Sequence, residues 1–312
     1  MAAVRPCRHA AAGGRPGRQA RLREGFAVRI VSLAPSNTEI AFALGLGEFV
    51  VGVDDHSDYP PEVARLPRVG PDLTVDIDRV AALEPDLVLA SLSVPGMERN
   101  VEALQRRGLP HLVLNPQRWP EVLQSIQAVA AATGREERGR RLVRQLQARA
   151  AAVRQRMARL AARRGRPWRL YLEWWPRPLI TPGRRSWFTD MAEMAGGQNI
   201  FADLDRTSGV VEPEAVVARV PDVILLCWCG TLQGHMDPSR VAARPGWSRL
   251  EAVARGRVVP LPEALFGRPG PRLVEGLERL AGLLAGFVQE EAGEGGPGED
   301  GSSGSAAVPP GR

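Results

Sequence analysis

The sequence predicts an α/β fold in which two parallel-sheet lobes are joined by one long helix and hold a ligand cleft between them. One short pattern occurs twice, as VDIDRVAALEPDLVLAS around Asp78 and as VEPEAVVARVPDVILLCW around Glu214. In both copies an acid opens a short helix, and Pro-Asp with an apolar strand follows, so that Asp86 and Asp222 each lie eight residues beyond the acid. Because two similar lobes usually face each other across a cleft, binding between lobes is the leading interpretation.

The first lobe shows strands that alternate with helical segments, which indicates a parallel sheet. A helix is expected after the first strand, since Ser36 and Glu39 form a capping box and Gly45 ends the helix. A proline-rich loop, DDHSDYPPEVARLPRVG, follows the second strand. The predicted strands cover residues 28–34, 49–53, 87–91 and 110–115.

A long helix is predicted in the middle of the chain. From Glu136 to about Arg163 there is no proline and only one glycine, Gly139. Apolar residues recur at three- and four-residue steps, which predicts one amphipathic helix of about 40 Å at 1.5 Å per residue. Its apolar stripe consists of Leu142, Leu146, Ala150, Val153, Met157 and Leu160. A single stiff connector predicts little hinge closure.

The second lobe begins with WRLYLEWW at 168–175, and ITPGRRSWFTDMAEMAGGQNIF then mimics the strand, turn and helix of the first lobe. A strand at 257–262 and a closing helix from Pro271 to about Val288 complete it. The predicted organisation is a first lobe at 28–133, a connecting helix at 134–166, a second lobe at 167–288, and disordered ends at 1–27 and 289–312.

Composition excludes several kinds of chemistry. The 312 residues are 44% hydrophobic and 24% charged, which is ordinary for a globular chain with a sizeable core. All 41 basic residues are Arg, so a Schiff-base lysine, a lysine base and a P-loop lysine are excluded. The positive charge is concentrated in residues 1–29 and 134–169, and the rest of the chain is net acidic. Nucleic acid is therefore not an expected partner.

Other motifs point to no further chemistry. Cys7, Cys227 and Cys229 form no disulfide framework, and the last two are expected on a buried strand with both thiols on one side. The chain has no run of eighteen apolar residues and no apolar core of a secretory signal. GxGxxG after a strand, GxSxG and HExxH are absent, so we do not expect an enzyme.

Candidate ligand-binding residues follow from the predicted topology. Open parallel sheets bind ligands beyond the carboxyl ends of their strands, near helix N-termini. Exposed indoles there suit flat conjugated ligands, because an aromatic pair contributes about 0.5–1.5 kcal/mol beyond burial. The candidates are Ser36, Asn37, His56, Tyr59, Met97, Trp174, Trp175, Trp187, Trp228, Phe266 and Arg268.

His56 is also the candidate metal ligand. It lies in the acidic loop DDHSDY and could bind a metal ion, or bind axially the metal of a flat conjugated ligand, with Asp55 or Asp58 beside it. The alternative is a hydrogen-bonded loop histidine.

Three segments, RIVSLAPSNTEIAFALGLGEFVVGVDDHSDYPPE, DIDRVAALEPDLVLAS and LFGRPGPRLVEGLERL, resemble the family of periplasmic binding proteins for cobalamin and iron chelates, over about residues 28–288. The resemblance implies the substrate-binding component of an ABC importer, which holds cobalamin or a related corrinoid or metal chelate as the transported ligand, with no covalent cofactor. It also implies that Asp78 and Glu214 dock onto arginines of a membrane permease. Alternatively, both acids simply favour a helix N-terminus.

The resemblance is weaker in the pocket. The tryptophans of the family's cobalamin binders would fall at Asp72, Ser91 and Ser208, so three stacking surfaces are missing. The acid that pairs with the pocket arginine would fall at Ala264, with Glu263 one place away. Arg268 matches the pocket arginine, and Phe266 and Trp174 keep aromatic character.

The leading prediction is a monomeric substrate-binding protein that works outside the cytoplasm, in the periplasm or at the cell surface. A cytosolic carrier of corrinoids or chelates is the alternative, because no signal peptide is visible in the chain. A chelate-modifying enzyme with His56 and nearby carboxylates as catalysts is the third hypothesis.

Overall fold

Four parallel strands form the sheet of the first lobe. A computed structural model of the protein describes residues 28–294. The strands are β1 (Ile30–Ser32), β2 (Val50–Val53), β3 (Leu87–Ser91) and β4 (His111–Leu114), and their order in the sheet is β2-β1-β3-β4. The helices are α1 (Pro35–Ala43), α2 (Ile77–Ala82), α3 (Glu98–Arg106) and α4 (Trp119–Ala132), with 3₁₀ turns at Gly47–Phe49 and Pro61–Arg65. Helix α4 was not among the predicted elements.

Helix α1 begins at Pro35, so its N-cap lies two residues before the predicted cap, Ser36. Ala34 is the N-cap and makes no side-chain cap hydrogen bond, so the prediction that Ser36 and Glu39 cap this helix was wrong. The physical reason is Pro35, whose fixed φ suits the first helical position and whose missing N–H needs no cap. Ser36 and Glu39 both lie buried within the helix instead.

The predicted connector forms a single helix, α5 (Glu136–Arg164), of 29 residues. It packs against α4 and against the closing helix α11 of the second lobe, Leu273–Glu294. Leu146, Ala150, Val153 and Met157 of its predicted stripe are buried, and Leu142 and Leu160 are partly buried. The Arg149 guanidinium binds the Glu278 carboxylate at 2.9 and 2.7 Å and joins α5 to α11. The helix therefore braces both lobes along its length.

The second lobe repeats the sheet of the first. In chain order its strands are β5 (Trp168–Glu173), β6 (Trp175–Pro176), β7 (Leu179–Pro182), β8 (Gly197–Asn199), β9 (Ser208–Val210), β10 (Val223–Leu226) and β11 (Val258–Pro260). The parallel sheet has the order β8-β5-β10-β11, so both lobes have the order 2-1-3-4 when their parallel strands are counted separately. This confirms the predicted fold class of two parallel-sheet lobes joined by one long helix.

A small antiparallel sheet, β6-β7-β9, is added to the second lobe and was not predicted. The helices of this lobe before α11 are α6 (Trp187–Met194), α7 (Pro213–Ala218), α8 (Pro238–Ala242), α9 (Glu251–Ala254) and α10 (Glu263–Phe266), with 3₁₀ turns at Gln233–His235 and Trp247–Arg249. Helix α11 continues six residues past its predicted end, to Glu294. The predicted disorder of 289–294 was therefore wrong, and the predictions for 1–27 and 295–312 lie outside the described residues.

The cysteine pair differs from its prediction. Strand β10 ends at Leu226, so Cys227 and Cys229 lie in the loop that follows it. Cys227 is buried and Cys229 is exposed, because a loop does not impose the alternation of a strand.

One core runs through both lobes. A continuous cluster of buried apolar residues extends from β1 and α1 through α4 and α5 to α6 and α11. Within residues 28–294, no helix combines the length and apolar character needed to cross a membrane.

Candidate functional site

Exposed apolar side chains gather at the carboxyl ends of the parallel strands. The described part of the chain exposes seven large apolar side chains, Tyr59, Leu73, Val94, Trp175, Val210, Val220 and Leu232. Four of them follow β2, β3, β5 and β10, and a fifth, Leu73, lies beside Gly96 in the loop after β3. Exposed apolar surface at this edge of an open sheet is typical of a ligand site.

The loop after β2 is held by a buried carboxylate and presents three side chains outward. The buried Asp54 carboxylate accepts hydrogen bonds from the Ser57 hydroxyl at 2.5 Å and from the His56 backbone N–H at 2.9 Å. Burial raises the pKa of Asp54, and the Ser57 hydrogen bond opposes this shift. These hydrogen bonds fix the base of the loop on Asp54, while His56, Asp58 and Tyr59 are exposed.

The His56 imidazole pairs with one carboxylate, and no metal cage surrounds it among residues 28–294. Its Nε2 lies 3.6 Å from the Asp72 carboxylate. Among residues 28–294, no group of three or more His, Cys, Asp or Glu side chains could hold a metal ion. A site built by the protein alone is therefore not supported in this part of the chain, whereas axial ligation of a metal that arrives in a chelate stays a prediction.

Arg268 lies at the boundary between the lobes. Its Nε donates to Glu263 at 2.9 Å within the second lobe, and its guanidinium binds Asp58 of the first lobe at 2.5 and 3.3 Å. Next to it, the Arg272 guanidinium lies 4.0 Å from the centre of the Tyr59 ring. Both contacts connect the loop after β2 with the turn between α10 and α11, so the predicted pocket arginine does face the opposite lobe.

Glu39 lies beneath these two arginines. Only 3% of the residue is exposed, and its Oε1 is 3.4 Å from Arg272 Nη1 and 3.9 Å from Arg268 Nη1. Its Oε2 is buried without a hydrogen-bond partner. Desolvation outweighs the attraction of both arginines and raises the pKa of Glu39 to about 8.

Three of the predicted aromatic residues belong to the core. Trp174 and Trp187 are 8% and 4% exposed and pack against each other with ring centres 5.5 Å apart. The Trp187 Nε1–H donates to the Phe266 carbonyl at 2.7 Å, and Phe266 is buried. The expectation of exposed indoles at Trp174 and Trp187 was therefore wrong, because α6 and α10 close over the end of β5.

Trp175 and Trp228 remain accessible. Trp175 is 42% exposed, and its Nε1–H donates to the Arg177 carbonyl at 2.9 Å. Trp228 is partly buried, and its Nε1–H donates to the buried Glu173 carboxylate at 2.9 Å. Glu173 also accepts from Arg244 at 2.9 Å, so the Trp228 ring is fixed by a buried ion pair.

The polar candidates of the first lobe lie inside the protein. The Asn37 amide donates to the Leu89 and Ala90 carbonyls at 3.2 and 3.0 Å and thereby ties α1 to β3. Ser36, Asn37 and Met97 are all buried, so the expectation that they open onto the cleft was wrong. Val94 and Pro95 are the exposed residues of the loop that precedes Met97.

Asp78 and Glu214 occupy matching positions at the outer surface. Asp78 lies in the first turn of α2 and Glu214 in the first turn of α7, and both are exposed. The Asp78 side chain is 85% exposed and pairs with Arg107 at 3.1 Å. Asp76, not Asp78, accepts the cap hydrogen bonds of α2, which weakens the explanation of Asp78 as a helix cap.

Besides the contacts of Arg268 with Asp58 and of Arg272 with Tyr59, two further links between the lobes were not predicted from the sequence. One is Glu39 with Arg272, described above. In the other, Asp190 of α6 accepts from Arg118 Nε at 2.8 Å and from the Trp119 backbone N–H at 2.8 Å. In the sequence Arg272 stands out only as part of the segment LFGRPGPRLVEGLERL, and no local pattern identifies a partner more than two hundred residues away.

Comparison with known proteins places the chain in one group. A family model described as periplasmic binding protein matches residues 30–265. An uncharacterized ABC transporter substrate-binding lipoprotein of Bacillus subtilis is 35% identical over 257 residues, which cover 81% of this chain and 78% of that protein. A vitamin B12-binding protein of Vibrio cholerae is 30% identical over 83% of this chain and 89% of its own length.

The solved structures agree with this grouping. The periplasmic heme-binding protein RhuT from Roseiflexus sp. RS-1 superimposes with a TM-score of 0.72 and is 30% identical in sequence. The match covers 84% of this chain and all of that one.

Proposed function

This chain belongs to the periplasmic binding protein family, and from that premise we propose that it captures a corrinoid or a related metal chelate between its lobes and delivers it to an ABC permease. It is an ABC substrate-binding protein of the type that includes cobalamin, heme and siderophore binders. Members of this group bind solutes for transport and are not enzymes.

The exposed apolar side chains carry the proposal for a large chelate. Tyr59, Val94, Trp175 and Leu232 line the carboxyl ends of strands in both lobes, and Arg268 lies between the lobes. Apolar and aromatic surface with a few placed polar groups suits a broad, conjugated ligand with a polar periphery. The vitamin B12-binding relatives favour a corrinoid.

Delivery would use the two exposed acids. Asp78 and Glu214 occupy the same place in the two copies of the repeat, one on each lobe. A permease with one arginine opposite each acid would recognise the distance between the two lobes as well as the charge of the two acids. The two acids are thus suited to docking at both lobes together.

We place this activity outside the cytoplasm, because one relative is a lipoprotein and solved neighbours are periplasmic. Fractionation of cells that express the chain from its own gene tests this directly. Recovery in the cytosol would favour the cytosolic carrier.

Ligand identity is tested with the purified protein. Absorbance and mass spectra of copurified material are recorded first, and cyanocobalamin, hemin and ferrioxamine B are then titrated against the quenching of tryptophan fluorescence. We expect saturable binding of the corrinoid with the ligand recovered unchanged. Recovery of a chemically altered chelate would support the enzyme, and failure of all three titrations would overturn the proposal.

Heme is the second candidate, because His56 and Tyr59 are both exposed on the loop after β2. Imidazole and phenolate are the side chains that hold heme iron axially in many proteins. A hemin complex whose Soret band shifts in His56→Ala or Tyr59→Phe would favour heme over a corrinoid.

A further inference from the structure

The boundary between the lobes contains a buried carboxyl group that faces two arginines and keeps one oxygen unpartnered. Glu39 belongs to the first lobe, whereas Arg268 and Arg272 belong to the second. The unpartnered Oε2 points at Gly270, where a Cβ atom would lie 3.2 Å from it and 3.5 Å from the Ser36 carbonyl. The turn 268–272 therefore sits directly on helix α1.

The two arginines differ in their dependence on this carboxyl: Arg272 Nη1 donates to Glu39 Oε1 at 3.4 Å and the Arg272 Nε is buried without a hydrogen-bond partner, whereas Arg268 has other acids. Arg268 binds Glu263 and Asp58, so its charge is already balanced without Glu39.

Arg272 lies over the Tyr59 ring, and its Nε is 3.7 Å from the Glu275 carboxylate. Tyr59 and the five charged groups Arg268, Arg272, Asp58, Glu263 and Glu275 surround Glu39 directly or through its arginines. Burial is the largest influence on Glu39 and raises its pKa to about 8.

We propose that Glu39 is a positioning residue for Arg268 and Arg272: while it carries its proton, the turn 268–272 packs on helix α1, and loss of that proton loosens the turn and the placement of Arg268 at the cleft. Only the statement that Arg268 borders a ligand rests on the proposed function. The contact between turn and helix is a property of the ligand-free protein.

The direction of the effect follows from linkage. The packed state holds the pKa of Glu39 at about 8, above its ordinary value of 4.5. Release of the proton therefore favours any state in which water reaches the carboxylate. Between these two values, rising pH weakens the packed state by up to about tenfold per pH unit. The contact is firmest in acid and loosest above pH 8.

Hydrogen exchange of the ligand-free protein tests this. The amides of Gly270 and Leu273 donate to the Arg268 and Gly270 carbonyls within the turn, at 2.8 and 3.2 Å. After correction for the intrinsic pH dependence of exchange, we expect their protection to fall between pH 6 and pH 8 in the wild type. Glu39→Gln keeps shape and hydrogen-bonding capacity without an ionisable proton, so its protection should not change over this range. Glu102→Gln, which changes an exposed carboxylate paired with Arg106, is the matched control and should behave like the wild type.

A wild type with constant protection, or a Glu39→Gln variant with the same decline, would overturn the proposal. If Glu39→Gln does not fold, the pKa of Glu39 is measured instead by carbon-detected NMR of the wild-type protein labelled at its glutamate carboxyl carbons. A resonance near Arg268 and Arg272 that titrates close to pH 8 supports the proposal, and titration of every glutamate near pH 4.5 overturns it. Neither readout uses a chelate, so failure here is distinct from failure of the proposed function.

Discussion

Asp86 and Asp222 make the same backbone hydrogen bond in the two lobes. Asp86 accepts from the Arg29 N–H at 2.9 Å, and Asp222 accepts from the Arg169 N–H at 2.8 Å. Each bond joins the end of the repeat to the start of the first parallel strand of its lobe. The aspartate of the repeat thus orients one strand relative to another.

The residue two places before each aspartate has the same unusual backbone conformation. Glu84 and Val220 have φ values of 44° and 41°, although neither is glycine. A left-handed residue before proline turns the chain sharply into β3 or β10. The internal sequence repeat therefore corresponds to a hydrogen bond and a backbone conformation that recur in both lobes.

The first prediction concerns Asp222→Ala. Desolvation acts to raise the pKa of Asp222, but the hydrogen bonds from Arg166 and the Arg169 N–H hold it below its ordinary value. Removing the carboxylate leaves these donors unpaired, so we expect a loss of about 1–3 kcal/mol in the free energy of unfolding, measured by urea denaturation. Because the folded pKa is depressed, the contribution of Asp222 is present above its unfolded pKa of about 3.9 and is lost as pH falls through the lower folded value.

Asp205→Ala is the control for this prediction. Its carboxylate is exposed and pairs with Arg184 and Arg185 on the surface, so its removal should leave the urea midpoint unchanged. Equal effects of the two substitutions would contradict the structural role of Asp222.

The second prediction uses two neighbouring tryptophans. Trp174→Ala removes a core side chain and should cost about 3–5 kcal/mol of unfolding free energy. Trp175→Ala removes an exposed ring and should change stability by less than about 0.5 kcal/mol. It should instead weaken chelate binding by roughly 2- to 13-fold, the equivalent of about 0.5–1.5 kcal/mol of stacking.

Urea denaturation and fluorescence titration of both variants check this pair. Unchanged chelate affinity in Trp175→Ala would remove this indole from the ligand site.

Much of the fold could be predicted from the sequence because its signals are local and periodic. The stripe from Leu142 to Leu160 needs only 3.6-residue periodicity, and the two lobes follow from the repeat around Asp78 and Glu214. The small sheet β6-β7-β9 was missed, since strands of two to four residues that carry Pro176 and Pro182 lack a recognisable pattern.

The candidate site was harder to predict, because burial at the lobe boundary depends on contacts between distant segments. Trp174 and Trp175 are adjacent and chemically identical, yet only the second is exposed. Glu39 matched a local capping pattern, while its actual neighbours Arg268 and Arg272 come from the other lobe. The topology predicted candidate side chains at the carboxyl ends of the strands, but it did not predict which of them are exposed and which are buried.

The third prediction concerns docking. Asp78→Ala and Glu214→Ala should each weaken the complex with the permease by about tenfold or more, since an interfacial charge pair is lost. Chelate affinity should stay unchanged, because both carboxylates are exposed at the first turns of α2 and α7. Pull-down of the detergent-solubilised permease and fluorescence titration measure the two quantities.

Glu102→Ala removes an exposed acid that pairs with Arg106 and serves as the control. Full permease binding by the Asp78 and Glu214 double variant would show that the acids do not dock.

The fourth prediction is the pH dependence of stability at Glu39. Burial raises the folded pKa to about 8 from an ordinary 4.5, so the unfolded chain releases this proton before the folded protein does. The stability associated with the protonated group is complete below about pH 4.5 and declines until pH reaches about 8. The difference in unfolding free energy between wild type and Glu39→Gln should therefore shift by up to about 1.4 kcal/mol per pH unit in this window, against the wild type as pH rises. Urea denaturation of both proteins at pH 5, 6, 7 and 8 measures the shift. If the unfolding free energies of wild type and Glu39→Gln change in parallel with pH, Glu39 is ionised throughout this range. The attraction of its two arginines would then outweigh the effect of burial on its pKa.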